Sequence, residues 1–203
     1  RFSNLGLVVI DEQHRFGVSQ RRLLKAQSEA MPHVLTMTAT PIPRSLALVV
    51  YGELDVSIID ELPPGREPIE TKLVAADGRQ AMEIHIDELI DQGQQVFVVC
   101  PLIDQSDSLG LKSVQAEFAR LSNGAFAHRR LEVLHGKLKA AEKAHIMGEF
   151  VAGRIDILIA TTVIEVGVDI PNASIMVIES AERFGLAALH QLRGRVGRGG
   201  RAV

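Results

Sequence analysis

The stretch Val96-Phe97-Val98-Val99 decides how the chain is read. Its side chains are all apolar and no polar residue interrupts them. The run is too short for a buried helix. Its unbroken hydrophobicity is that of a parallel strand covered by protein on both faces. Leu7-Val8-Val9-Ile10, Val34-Leu35-Thr36-Met37, Ile155 to Ile159 and Ile175 to Ile178 are likewise short and nearly continuous in hydrophobicity. Between these runs the apolar spacing becomes helical. Met82, Ile86, Leu89 and Ile90 fall at i, i+4, i+7 and i+8, with Asp77 as an N-cap, Gln80 three residues on and Gly93 as a stop. Val114, Phe118 and Leu121 keep the same spacing, as do Ala140, Ala144, Met147 and Val151. Gly148 is a weak point in the last of these, costing about 1 kcal/mol relative to alanine. Strands and helices therefore alternate. The fold class is α/β, with ligands expected at the carboxyl ends of the parallel strands.

The 203 residues suffice for one or two domains. With 46% hydrophobic and 23% charged residues, the chain is not mainly disordered, collagen-like or a coiled coil. Lys plus Arg number 22 against 25 for Asp plus Glu, a net charge of -3. The overall basic charge that advertises nucleic-acid binding is absent, which leaves a local patch open. The single cysteine, Cys100, has no partner for a disulfide within the chain, which fits a reducing compartment. The seven histidines are scattered without a CxxC or HxxxH pair, so no zinc site is expected. No apolar run approaches a membrane span, and no signal-peptide pattern follows Arg1-Phe2-Ser3-Asn4. The start at Arg1 and the end at Val203, behind a Gly/Arg cluster, read as cuts in a longer chain.

Leu62-Pro63-Pro64-Gly65-Arg66-Glu67-Pro68 has the composition of a linker. Residues 1–62 then hold only about two core strands, the tail of one domain, expected to expose apolar sheet surface and to be poorly stable. Residues 69–203 make most of a second domain, with strands expected near 69–75, 96–101, 130–135, 155–160 and 174–179. Asp104 to Gly110 reads as a surface loop.

Four places carry the residues of a reaction. Asp11-Glu12-Gln13-His14 leaves the first apolar run. One carboxylate there can hold Mg²⁺ through water and its neighbour can polarise a water that attacks a phosphate. The pair also reads as a polar turn capping the next helix. Thr38-Ala39-Thr40-Pro41 ends the second run, either as a hydroxyl relay toward a moving neighbour domain or as a simple Ser/Thr turn. In Ala160-Thr161-Thr162-Val163-Ile164-Glu165-Val166-Gly167-Val168-Asp169-Ile170-Pro171, Gly167 permits close backbone approach and Asp169 can accept from a ribose hydroxyl. The same stretch reads as a loop between strands. Gln191-Leu192-Arg193-Gly194-Arg195-Val196-Gly197-Arg198-Gly199-Gly200 makes a poor helix and a poor core. Its guanidinium groups suit bidentate pairing with phosphate oxygens, and the competing reading is a flexible basic tail.

The order of the four, more than any one, is informative. They resemble motifs II, III, V and VI of superfamily 2 helicases. Ile10 to Val18 and Thr38 to Ala47 look like the RecG forms of motifs II and III, Val98 to Ile103 is similar to that family's motif IV region, and Gln191 to Gly200 resembles its motif VI. The resemblance covers essentially the whole chain. The transcription-repair coupling translocase is the nearest rival, but its motif II usually reads Asp-Glu-Glu-Gln where this chain has Asp-Glu-Gln-His.

The resemblance implies RecA-like parallel sheets flanked by helices, as in P-loop NTPase-type helicase lobes. Residues 1–62 would be the carboxyl part of an ATP-binding lobe, 63–68 a linker, and 69–203 the helicase C-terminal lobe, truncated at its end. It implies ATP and Mg²⁺ as cofactors and branched double-stranded DNA as partner, in fork regression and Holliday junction branch migration. The protein would be a bacterial cytoplasmic, nucleoid-associated monomer with no membrane partner. Asp11 would coordinate Mg²⁺ through water and Glu12 would position the attacking water. Gln13 and His14 would link the nucleotide site to the DNA side, and Thr38 and Thr40 would couple hydrolysis to lobe movement. Gly167 and Asp169 would line the nucleotide cleft. Gln191, Arg195 and Arg198 would reach across it, with the two arginines as finger candidates. His135, Gly136, Thr161 and Thr162 would touch the DNA backbone. No GxxxxGK[ST] occurs in the chain, and Gly136-Lys137 is followed by Leu138. The P-loop part of the first lobe and the family's N-terminal wedge domain are expected elsewhere in the same polypeptide, so the chain alone is expected to be inactive. A non-catalytic lobe that only holds DNA or a protein is the second reading.

Overall fold

Two parallel sheets organise the chain, one in each of two compact units, Arg1–Ile59 and Asp60–Val203. The computed structural model describes residues 5–11, 32–38, 55–59, 61, 69–101, 111–161 and 173–197. The expected linker at 63–68 and the expected loop at 104–110 lie outside them.

In the first unit, β1 (Leu7–Ile10) pairs in parallel with β2 (His33–Thr36). The register sets Leu7 against His33 and Ile10 against Thr36, and the Met37 N–H continues the ladder to the Ile10 carbonyl at 2.8 Å. Strand side chains alternate between faces, so one face of β1 carries Val8 and Ile10 and the other Leu7 and Val9. Only the first pair is buried. The unbroken apolar run thus makes a strand, yet Leu7 (57% exposed) and Val9 (52%) face solvent. Coverage on both faces, expected of every such run, does not hold for β1, whereas the exposed apolar sheet surface expected of residues 1–62 does.

The second unit has a four-stranded sheet in the order β4-β5-β3-β6. Its strands are β3 (Gln95–Cys100), β4 (Leu131–Leu134), β5 (Ile157–Thr161) and β6 (Ala173–Ile178), all parallel. Its helices are α1 (Arg79–Asp91), α2 (Leu111–Ser122), α3 (Ala140–Val151) and α4 (Leu186–Arg193). β3 and β5 are buried along their whole length because both faces are covered. Val96, Val98 and Cys100 of β3 join Ile157 and Ile159 of β5 under Ile86 and Ile90 of α1 and Val114 and Leu121 of α2. Phe97 and Val99 join Leu158 and Ala160 under Phe150 of α3 and Leu192 of α4. Phe97 and Phe150 meet edge to face at 4.9 Å, a favoured aromatic geometry. The unbroken runs are the sheet centre, where no face is left for polar residues.

Three local expectations need correction. Residues 69–75 form no strand. Glu70 and Lys72 pair with each other at 3.2 Å and Leu73 is 97% exposed, so the segment has no apolar face to bury in a sheet. Asp77 is not the cap of α1. It lies in a 3-10 turn, Ala76–Gly78, and Gly78 takes the N-cap position without a side-chain bond. The inward face of α3 keeps Met147 but not Ala140, Ala144 and Val151, which are exposed. Phe150 is its one fully buried residue, with Lys143, Ile146 and Met147 partly buried at i−7, i−4 and i−3 from it. The stop at Gly93 holds, with φ +84° and its N–H bonded to the Ile90 carbonyl at 2.9 Å.

Candidate functional site

Parallel strands deliver their carboxyl ends to one edge, and the described residues of all but the fourth motif stand at such ends. In the first unit Asp11 follows β1 and Thr38 follows β2 by two residues, both exposed. The ladder bond from Met37 to Ile10 brings the two exits together. Glu12, Gln13, His14 and Thr40 lie outside the described residues.

In the second unit His135 and Gly136 follow β4, Thr161 is the last residue of β5, and Glu179 follows β6. Thr161 Oγ1 and His135 Nδ1 are buried with no hydrogen-bond partner among the described residues. Buried polar groups call for a partner, which water, a ligand or another part of the chain can supply. Burial, then the charges of Lys137 and Lys143, hold the His135 imidazole below its ordinary pKa, against a smaller opposite pull from Glu142. Lys143 Nζ donates to the Gly136 carbonyl at 3.2 Å, which fixes the turn after β4. The Lys139 N–H donates to Glu142 at 2.8 Å and so closes the first turn of α3. The strand end is a turn flanked by lysines around an imidazole whose protonation is disfavoured. Cys100, at the end of β3, is inert as a nucleophile, since burial pushes its thiol up to about 12.

The fourth motif is carried by α4 and the turn after it. Leu192 and Val196 are buried in the core on either side of Arg195, which is half-buried, as is Gln191. Arg193 is committed elsewhere, donating to the Ile69 carbonyl at 2.9 Å. Gly197 has φ +72°, a conformation that β-carbon-bearing residues rarely adopt. Gly167, Asp169, Arg198 and Thr162 lie outside the described residues. Sequence reasoning overlooked Glu179 and Arg79, which pair across the carboxyl edge of the sheet. Their separation of 100 positions left no local signal.

The chemistry of these groups suits a nucleotide with its cation only in part. One described carboxylate, Asp11, fits a cation held through water and not an all-protein cage, and no cluster of three metal-ligating side chains occurs among the described residues. The unpartnered Thr161 hydroxyl fits an oxygen-rich ligand.

Residues 80–200 match the family model for the helicase conserved C-terminal domain. The chain belongs to that family. RecG from Synechocystis is 55% identical over 198 residues, 98% of this chain and 24% of the relative. RecG from Thermotoga maritima is 54% identical over 199 residues, 98% of this chain and 25% of the relative. Both relatives are named ATP-dependent DNA helicases. A solved structure of RecG bound to a three-way DNA junction aligns over 98% of the chain and 25% of its own, with a TM-score of 0.73 at 49% identity. Yeast Dbp5 bound to RNA and ADP BeF3 covers 100% of the chain and 52% of its own at 17% identity, with a TM-score of 0.61, which shows the shared fold. The RecG resemblance and the RecA-like parallel sheet are therefore both supported, and the chain spans about a quarter of the RecG relatives it matches. Among the described residues no helix is long and apolar enough to cross a membrane.

Proposed function

We propose that the chain is the part of an ATP-driven double-stranded DNA translocase that runs from motif II to motif VI, acting on forks and Holliday junctions in the bacterial cytoplasm. The supporting observation is the likeness to RecG across 98% of the chain, including the structure that holds a three-way junction. The first unit is read as the carboxyl part of the ATP-binding lobe and the second as most of the C-terminal lobe.

When bound, Mg²⁺ would supply charge neutralisation at the transferred phosphate. The roles of this chain's residues are carried over from the resemblance to RecG. Asp11 would hold the cation through water, and Glu12 would orient the attacking water. Gln13, His14, Thr38 and Thr40 pass the state of that site to the DNA side. Gly167 and Asp169 line the nucleotide cleft, and Gln191, Arg195 and Arg198 stabilise charge that grows during transfer. His135, Gly136, Thr161 and Thr162 meet the DNA backbone. Lys137 in the turn, with Lys139 and Lys143 at the start of α3 beside it, suits phosphate, and His135, whose protonation is disfavoured, can donate to a phosphate oxygen from a ring N–H.

The test is ATP turnover by the full-length protein with a synthetic fork. Arg195→Ala is expected to lower kcat about a thousandfold, the scale of an arginine finger, while thermal unfolding stays in place. Retained turnover within about threefold would remove Arg195 from the site. The 203-residue chain alone, without a P-loop, is expected to show no magnesium-dependent turnover in the same assay.

A further inference from the structure

The carboxyl end of β6 carries a charge arrangement that the motif reading does not use. Glu179, with a side chain 20% exposed, directly follows β6 and accepts from the guanidinium of Arg79, the first residue of α1. The pair joins the start of one helix to the end of the last strand. Arg120 of α2 lies over the same corner, bonded to Glu117 of α2 and Glu83 of α1 at 2.7 Å each. Glu83, Glu117 and Glu179 also line one shallow cleft with Arg120, so two cations serve three carboxylates. Burial and the charge of Glu117 oppose ionisation of Glu179, and the Arg79 bond and the Arg120 charge favour it.

The backbone at the same point is unusual. The Glu179 N–H donates to the Val99 carbonyl at 2.9 Å, which extends the ladder one step past β6. The next residue, Ser180, has φ 51° and is the only non-glycine with positive φ among the described residues. A residue with a β-carbon stays in that region only where its surroundings over-determine it. Upstream the anchor is Glu179. Downstream the Arg183 N–H closes a turn on the Ser180 carbonyl at 2.9 Å, and Phe184 packs against the core. α4 then begins, leading to Gln191 and Arg195.

We propose that the Arg79–Glu179 ion pair is a positioning device that clamps the left-handed turn at Ser180 and thereby sets where Gln191 and Arg195 stand. The segment 181–197 has one strained entry point, and this pair grips the residue before it. Neither residue is catalytic. Glu179 acts through the placement of Arg195, so its loss is felt in the transition state more than in nucleotide binding.

The activity readout rests on the ATP-driven reading above, and the structural readout does not. In the full-length protein, Glu179→Gln is expected to lower fork-stimulated kcat about tenfold, with KM for ATP within about twofold. The charge-swapped pair R79E/E179R is expected to restore kcat to within about threefold of the parent. Amide exchange in 181–195 is expected to quicken about tenfold in Glu179→Gln, with β3 and β5 unchanged. Unaltered kcat and exchange would overturn the proposal. So would faster exchange throughout β3 and β5, which marks a general stability role, or a swap that restores nothing. If the parent protein shows no ATP turnover, the translocase reading fails and the exchange comparison alone decides the clamp.

Discussion

β1 and β3 both carry an uninterrupted apolar run in a parallel sheet, yet the two runs have different surroundings. Every residue of β3 is buried, with Val96 at 1% and Val99 at 0% exposure. β1 alternates, with Ile10 at 5% and Val9 at 52%. In the second unit helices cover both faces of the sheet. In the first, Leu7, Val9, Leu35 and Met37 stay exposed. The lesson is that hydrophobic continuity specifies a strand, because such a run must pair its backbone, but it does not specify what lies on either side.

The strongest way to break this contrast is to place a carboxylate at matched positions of the two strands. Val99→Asp would bury a charge with no partner in the packed sheet centre. A cost of about 4 kcal/mol or more is expected, seen as loss of the exchange-protected amides of β3 and β5. Val9→Asp puts the same group on the exposed face of β1, at a cost within about 1 kcal/mol. Equal and severe losses at both positions would mean that the β1 face is as deeply packed as β3.

Acid provides a smaller and reversible perturbation of the second unit. Asp156 is held below its ordinary value of 3.8, since bonds from the Arg130 side chain and N–H, the latter at 2.8 Å, outweigh the upward push of burial. Asp87 is lowered chiefly by its bond from Arg129 at 2.6 Å. Lowered carboxylates bind fewer protons folded than unfolded near pH 4. Their contribution is complete above about pH 5 and is lost as pH falls through the lowered native values. Glu179 has the opposite sign. Its raised value means that its ionisation weighs against folding as pH climbs above 4.5. Denaturant midpoints should therefore fall steeply below about pH 4. Asp156→Asn should flatten that fall, and Glu179→Gln should leave it in place. An Asp156→Asn variant with the parent acid profile would show that the Arg130 bond does not persist in solution.

What the sequence made legible, and what it hid, follows the same division between pairing and surroundings. β3, β5 and the order of the motif-bearing strand ends could be read because each is a local pattern. The buried face of α3 could not be. Two stripes compete in 140–151, one of alanines ending at Val151 and one ending at Phe150, and the fold chooses the stripe with the larger apolar side chain. Residues 69–75 were expected as a strand, but a charged pair and two exposed apolar side chains, Leu73 and Val74, gave the sheet nothing to bury. At the candidate site, Asp11, Thr38, Gln191 and Arg195 could be named only from the order of the motifs, and His135 and Thr161 only through the family resemblance. The Arg79–Glu179 pair could not be named at all, since a contact across 100 residues exists only once the sheet is assembled.

The smallest effect separates exposure from looseness. Gly148 lies on the outer face of α3, with nothing within 4 Å of where a β-carbon would stand. Alanine there restricts the unfolded chain and meets no obstacle, so Gly148→Ala should stabilise the unit by about 0.5–1 kcal/mol. Gly93 has equally open space but φ +84°. Gly93→Ala should destabilise by about 1–2 kcal/mol, because the left-handed backbone and not crowding is the obstacle. Paired denaturant melts of the two variants read the signs directly. Opposite signs at two equally open glycines would show that solvent exposure in the second unit coexists with a fixed backbone. Exposure of Val9 in β1 would then say what covers that face and nothing about how firmly the strand is held. Destabilisation by Gly148→Ala would instead mean that the outer face of α3 is packed against something, and the contrast between the units would narrow from the covered side.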